Sequence, residues 1–299
     1  MRRLIAVDWG STSLRGALLD ADSRVLGEIS VPAGILTVAA GDFAAVFEQH
    51  FGAWMSQPGA LALVCGMAGS RQGWREAPYC ACPAGFADIA SRLLWIEPDR
   101  IALVPGLSCE ENGVPDVMRG EETQVFGALD LLGLADAQLV LPGTHSKWVQ
   151  VRAGKIVGLR TFMTGELYGL LRTHSILART LPPTDGELDV DAFERGLAHA
   201  RDSASLLHAA FSARTLSLFE RLPAASMPSY LSGLVIGEEL RAQTLAASGL
   251  PLVLIGAPAL TARYRLALAA QGLAAQCVGT EAGWRGLDAI ARQLSRRLS

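Results

Sequence analysis

The sequence contains no apolar run of 18 or more residues, so no segment is expected to span a membrane. Its start, Met1-Arg2-Arg3, is basic, but the apolar run that follows, Leu4 to Val7, ends at Asp8. That is too short for the hydrophobic segment of an export signal, and a cytoplasmic location is the expectation. Cysteine is sparse: Cys65, Cys80, Cys82, Cys109 and Cys277 form an odd, scattered set without the spacing of a secreted disulfide framework. Cys80 and Cys82 stand too close together for the usual zinc spacing and lack a second ligand pair. All five are expected to be free thiols. Basic excess is also missing, with 26 Lys and Arg against 29 Asp and Glu and a formal net charge of −3. No basic face is implied, which argues against nucleic acid as a partner. An anionic small molecule would have to be met by a few local Arg or Lys residues.

What remains is globular. Half of the 299 residues are hydrophobic and 18% are charged, enough for two domains that each bury a core. The first strand and turn, Ile5 to Arg15, set the pattern: an apolar run reaches Asp8, passes a Gly10-Ser11-Thr12-Ser13 turn and returns as Leu14 to Leu19. Consecutive backbone N–H groups in such a turn suit phosphate oxygens, and Gly10 admits a ligand to the main chain. Asp8 at the strand end suits a hydrated magnesium ion. A plain hairpin would use the same residues.

A second copy, Leu139 to Val151, has the turn Pro142-Gly143-Thr144-His145-Ser146-Lys147. Each copy runs on into a third strand, Val25 to Val31 and Ile156 to Phe162. This internal duplication points to two related lobes that each present a phosphate-sized loop.

The pattern resembles the sugar kinase, Hsp70 and actin superfamily. The words Asp8-Trp9-Gly10-Ser11-Thr12-Ser13-Leu14-Arg15, Val117-Met118-Arg119-Gly120-Glu121-Glu122-Thr123-Gln124, Pro142 to Val149 and Met163-Thr164-Gly165-Glu166-Leu167 resemble the 2-dehydro-3-deoxygalactonokinase family over nearly the whole chain. The resemblance implies a two-lobed α/β fold, with duplicated βββαβα-type lobes at residues 1–118 and 119–299 around an ATP cleft. It also implies ATP and Mg²⁺ as cofactors and a small sugar acid as acceptor, 2-dehydro-3-deoxy-D-galactonate phosphorylated at C6 in galactonate breakdown. A kinase of another hexose or sugar acid, or an ATP-binding sensor or actin-like protein, would use the same loops. A homo-oligomer is compatible with the sequence, which does not set the oligomeric state.

Between the two copies, helical spacing over Asp42 to Ser56 places Phe43, Val46, Phe47, His50, Phe51 and Trp54 on one face, with Asp42 as N-cap. The strand Ala60 to Met67 then exits into a glycine-rich loop, Gly66 to Trp74. Ligands bind at this edge of open α/β sheets, and in related kinases the loop reaches the sugar. Gln72, Gly73 and Trp74 are therefore substrate-side candidates, although Trp74 also reads as a packing residue. Residues 106–115 read as a polar loop.

Arg119 to Leu132 reads as a helix with acids in its first turn, a position that the helix dipole alone favours. In related kinases the helix before the second phosphate loop starts with the catalytic carboxylate, usually aspartate. Here Glu121 or Glu122 stands there, with Asp116 a third choice and Arg119 a substrate-side candidate. Gly10, Ser11, Thr12, Gly143, Thr144 and His145 are the phosphate candidates, joined by Lys147 or Arg15 as cations. Glu166 is assigned to the substrate side by resemblance, and equally reads as a first-turn acid. Helices are expected over Val190 to Arg201, Ala204 to Glu220 and Tyr230 to Ser248, with Ser232, Gly233 and Gly237 in close helix contacts or flanking the adenine. The buried strand Pro251 to Ile255 breaks at Gly256-Ala257, which resembles the superfamily's adenosine motif, and a helix follows from Leu260 to Gln271.

Overall fold

A computed structural model describes residues 3–243 and 249–297. The chain starts with the strands β1 (Arg3–Trp9), β2 (Leu14–Leu19) and β3 (Val25–Val31), then α1 (Phe43–Met55) and β4 (Ala60–Cys65). Next come β5 (Cys80–Ala81), α2 (Phe86–Ala90), β6 (Leu94–Glu97), β7 (Ile101–Leu103), β8 (Leu107–Glu111), β9 (Val114–Met118) and α3 (Glu121–Leu132). A second meander, β10 (Ala137–Leu141), β11 (Ser146–Arg152) and β12 (Lys155–Phe162), leads into α4 (Thr164–His174). The helices α5 (Val190–Asp202), α6 (Leu206–Ala209), α7 (Ser212–Leu218) and α8 (Met227–Arg241) follow. The last elements are β13 (Leu252–Ile255), α9 (Pro258–Ala269), β14 (Ala275–Val278) and α10 (Glu281–Arg297).

One sheet has the order β3-β2-β1-β4-β7-β6 and a second the order β12-β11-β10-β13-β14. The repeat visible in two short sequence stretches therefore extends to the order of whole sheets. Contacts gather the chain into two compact units: Met1–Leu139 with Trp148–Arg160 and Val278–Ser299, and Val140–Lys147 with Thr161–Cys277. Beyond residue 118, α3, the stretch Trp148–Arg160 and α10 group with the first unit.

In the first unit, β1 and β4 pair in parallel and both are buried almost throughout, as a strand covered on both faces must be. Ile5, Val7 and Trp9 share a core with Phe43, Phe47, Phe51 and Met55, which recur every fourth residue along one stripe of α1. Alternation sends Leu4, Ala6 and Asp8 to the opposite face, and α10 packs against β1 and α3. Asp42 does precede α1, but its side chain makes no capping bond.

The stretch 106–115, expected as a loop, is largely the hairpin β8–β9, closed by a turn at Asn112-Gly113 with positive φ at both residues. β5 pairs in parallel with β8, matching Cys80 to Leu107 and Ala81 to Ser108. The next residues in this register are Cys82 and Cys109, which form a disulfide. The expectation of five free thiols is corrected accordingly. The partners lie 27 residues apart, and sheet pairing rather than sequence spacing brings them together.

In the second unit, α5 and α8 pack so closely that a Cβ on Gly233 would lie 2.1 Å from Phe193 O, and one on Gly237 2.7 Å from Ala200 Cβ. The helix expected over Ala204 to Glu220 is broken into α6 and α7, and α8 starts earlier than expected. Residues 244–248 of the helix expected over Tyr230 to Ser248 lie outside the described residues. α9 also starts early, because Pro258 at its first turn needs no N–H partner. Among the described residues no helix is long and apolar enough to cross a membrane.

Candidate active site

In the first unit the phosphate-type loop joins β1 to β2. Gly10 N–H bonds Ser13 O at 2.9 Å, while Gly10 O and Ser11 O accept the N–H groups of Ile35 and Leu36 at 3.0 and 3.1 Å. Trp9 Nε1 donates to Ala33 O at 2.9 Å. The segment 33–36 thus braces the loop from behind, a support that the sequence reading did not include.

Asp8 and Arg15 are cross-strand partners, and their side chains form an ion pair at 2.9 Å. Arg15, expected as a phosphate cation, is engaged with that carboxylate. Burial raises the Asp8 pKa from the ordinary carboxylate value, and the Arg15 charge opposes the shift.

Asp8 is the register partner of Cys65, the last residue of β4. Past it, Gly66 at φ +86° and Gly120 at φ +106° adopt conformations that favour glycine. A Cβ on Gly66 would lie 3.0 Å from Asp8 Oδ1, and one on Gly120 would lie 3.1 Å from Gly66 Cα. The carboxylate of Asp8 and the start of α3 therefore converge on Gly66, at the C-terminal edge of the parallel β1–β4 pair. The Cys65 thiol is pushed well up by burial, and the charges of Asp8 and Glu122 add to the shift.

The two candidate bases differ sharply in environment. Glu121 is half-buried, and its Oε2 accepts the Arg119 N–H at 3.0 Å. Glu122 is fully buried; its Oε2 accepts the Gly120 N–H at 2.7 Å, while its buried Oε1 has no hydrogen-bond partner among the described residues. Burial first, then the charge of Glu121, pushes the Glu122 pKa to about 8. Asp116, on β9, accepts its neighbour's Val117 N–H at 2.7 Å.

Arg119 ties the segment that follows the glycine-rich loop to the start of α3. Its Nη2 donates to Ala77 O at 2.8 Å and its guanidinium lies 4.3 Å from the centre of the Tyr79 ring. Gln72 is exposed and Gly73 is half-buried. Trp74 packs on Trp9 and Phe47, with ring centres 6.0 and 5.4 Å away, as part of the core around α1.

In the second unit, Gly143 and Thr144 line a cavity of about 520 Å³, within the range of small-molecule sites. Its walls also come from α4, α8 and α9, including Thr164, Tyr168, Ser232, Arg263 and Tyr264. The start of α4 interlocks with the loop: a Cβ on Gly165 would lie 2.5 Å from Gly143 O, and Glu166 N–H bonds Thr144 O at 3.0 Å. His145 Nε2 and Glu166 Oε2 are 2.5 Å apart, which joins two residues expected on the phosphate and substrate sides. Lys147 is buried and its ammonium donates to Thr161 Oγ1 at 2.7 Å. Gly256 and Ala257 stand just before α9, whose residues Ala259 and Leu260 line the cavity.

Among the described residues no three His, Cys, Asp or Glu side chains gather as a metal cage. A lone strand-end carboxylate such as Asp8 is nonetheless a donor of the kind Mg²⁺ uses, since that ion keeps several waters and shares phosphate oxygens.

Known proteins match along most of the chain. The sequence profile of the family described as 2-keto-3-deoxy-galactonokinase matches residues 8–290. A protein of Rhizobium meliloti (strain 1021) named a probable 2-dehydro-3-deoxygalactonokinase is 39% identical over 97% of this chain and 96% of its own. The 2-dehydro-3-deoxygalactonokinase of Escherichia coli (strain K12) is 36% identical over 98% and 99%. A crystal structure from Sinorhizobium meliloti, described as a 2-dehydro-3-deoxygalactonokinase protein, superposes with a TM-score of 0.88 at 36% identity, covering 98% of this chain and 99% of the other. The α/β fold carries two sheets of repeated strand order, and the chain belongs to the 2-keto-3-deoxy-galactonokinase family.

Proposed function

We propose that this protein transfers the γ-phosphoryl group of MgATP to the C6 hydroxyl of 2-dehydro-3-deoxy-D-galactonate, in the cytoplasm, as a step of galactonate breakdown. The substrate follows from the names of its relatives. The observation that carries the mechanism is the gathering of Asp8, Gly66 and the acidic start of α3 at one sheet edge.

Phosphoryl transfer asks little covalent chemistry of a protein: an oriented hydroxyl, an acceptor for its proton and positive charge over the phosphates. The backbone N–H groups of Gly10, Ser11 and Thr12, and those of Gly143, Thr144 and His145, are assigned to phosphate oxygens. Asp8 would hold the Mg²⁺ of the nucleotide, and that ion would neutralise charge on the phosphates. The cavity beside Gly143 and Thr144 is assigned to the nucleoside, with Gly256 and Ala257 at its edge. Gln72, Gly73, Arg119 and Glu166 are assigned to the sugar acid. Trp74 supports that loop through its packing.

Glu121 is assigned as the base. It is half-buried and can meet a hydroxyl, whereas Glu122 is enclosed and, with a pKa of about 8, mostly protonated at neutral pH. Turnover should therefore fall roughly 10²–10⁴-fold in Glu121→Gln with ATP binding preserved, and far less in Glu122→Gln. The reverse order would move the base to Glu122. Two active variants would remove it from the start of α3.

A further inference from the structure

Beneath the second phosphate-type loop lies a carboxylate that the roles above leave unused. Glu239, on α8, is 2% exposed. Its Oε1 accepts the Ser146 hydroxyl at 2.8 Å, and its Oε2 accepts the hydroxyls of Tyr264, at 2.7 Å, and Thr164. Tyr264 Oη also lies 3.3 Å from Ser146 Oγ, which closes the network.

These partners are not scattered. Ser146 ends the loop that begins at Gly143, Thr164 is the first residue of α4, and Tyr264 lies on α9. Thr164 and Tyr264 line the cavity together with Gly143 and Thr144. Glu239 and Ser146 are not among its lining residues, so the carboxylate acts through what it holds. The two segments that interlock above it, at Gly165 against Gly143 and at Glu166 N–H to Thr144 O, are thus also tied from below by one side chain. A buried carboxyl group is costly unless its hydrogen bonds are made. An apolar residue would fill the space at less cost, but would not fix three hydroxyl rotors and the backbones that carry them.

We propose that Glu239 is a positioning residue for nucleotide binding, which holds the 143–146 loop, the start of α4 and Tyr264 in the arrangement that receives the nucleotide. This rests on the assignment of that loop and cavity to ATP. A Gln at this position keeps the size, but its amide nitrogen turns a donor toward hydroxyls that now donate. In Glu239→Gln the KM for ATP should rise about ten-fold, equivalent to ~1.4 kcal/mol. The KM for the sugar acid should rise less than that for ATP, because of the residues assigned to the sugar acid only Glu166 lies on a segment that Glu239 holds. The rise in unfolding temperature on adding ATP should shrink by comparison with wild type.

Ser146→Ala removes one hydroxyl without adding a donor and guards against a Gln variant that fails to fold. It should shift the ATP KM in the same direction, and its effect should not add fully to that of Glu239→Gln. A purely structural role would lower the ligand-free unfolding temperature and leave the ATP KM and the ATP-induced shift at wild-type values, which would overturn the inference. Wild-type protein that ATP fails to stabilise would overturn the nucleotide assignment itself, and this inference with it. Stabilised wild type with unaffected variants would overturn this inference alone.

Discussion

Glu122 offers a prediction that needs no substrate. Its carboxyl is fully buried with a pKa of about 8, against the ordinary glutamate value of 4.5. Between those values the folded protein holds a proton that the unfolded chain releases, so stability falls as pH rises from about 4.5 to about 8 and levels off above. The slope is about 1.4 kcal/mol per pH unit while both conditions hold. Glu122→Gln keeps the shape and removes the titration. Relative to wild type, the variant should therefore gain roughly 2–3 kcal/mol of stability between pH 5.5 and pH 7.5. Urea unfolding at a series of pH values, followed by the fluorescence of tryptophans such as Trp9 and Trp74 in the core around α1, reads this difference directly. Parallel profiles for the two proteins would refute the reasoning, because they would mean that Glu122 titrates alike in the folded and unfolded states.

Two further outcomes test the assigned roles. Asp8→Asn should fold normally and lose most turnover, with no recovery at high Mg²⁺, because a neutral amide holds a hydrated magnesium ion poorly; wild-type kcat at saturating Mg²⁺ would remove Asp8 from that role. Gly256→Val should raise the KM for ATP more than that for the sugar acid, since residue 256 sits at φ +145° just before α9 and a branched side chain is strained there; an unchanged ATP KM would place the nucleoside elsewhere.

The duplicated meanders were legible because each carries its own strand–turn–strand signal within about a dozen residues, and the acidic start of α3 because its motif is contiguous. What the sequence concealed depends on pairing across distance. The Cys82–Cys109 bond follows from the β5–β8 register, and β8–β9 itself is short and largely polar, so its residues read as a loop. The difference between Glu121 and Glu122 is invisible in two adjacent identical letters, and only the packing around α3 encloses one of them. Glu239 could have been suspected as an acid in the small and apolar run of α8, yet its partners at 146, 164 and 264 come from three other elements. Arg15 and Lys147, expected as phosphate cations, also have Asp8 and Thr161 as partners, which no local sequence signal announces.

A sugar-acid kinase acts on one acceptor atom, and that atom can be read directly. Purified protein should be incubated with ATP, Mg²⁺ and each of a panel of aldonic acids, 2-keto-3-deoxy acids and hexoses. ADP release is followed by a coupled assay, and the position of the phosphate on the product is read by NMR. Rapid ADP formation is expected with 2-dehydro-3-deoxy-D-galactonate, with one ester formed per ADP and the phosphate on C6. ATP hydrolysis indifferent to the acceptor, or a clear preference for a neutral hexose, would contradict the proposed function.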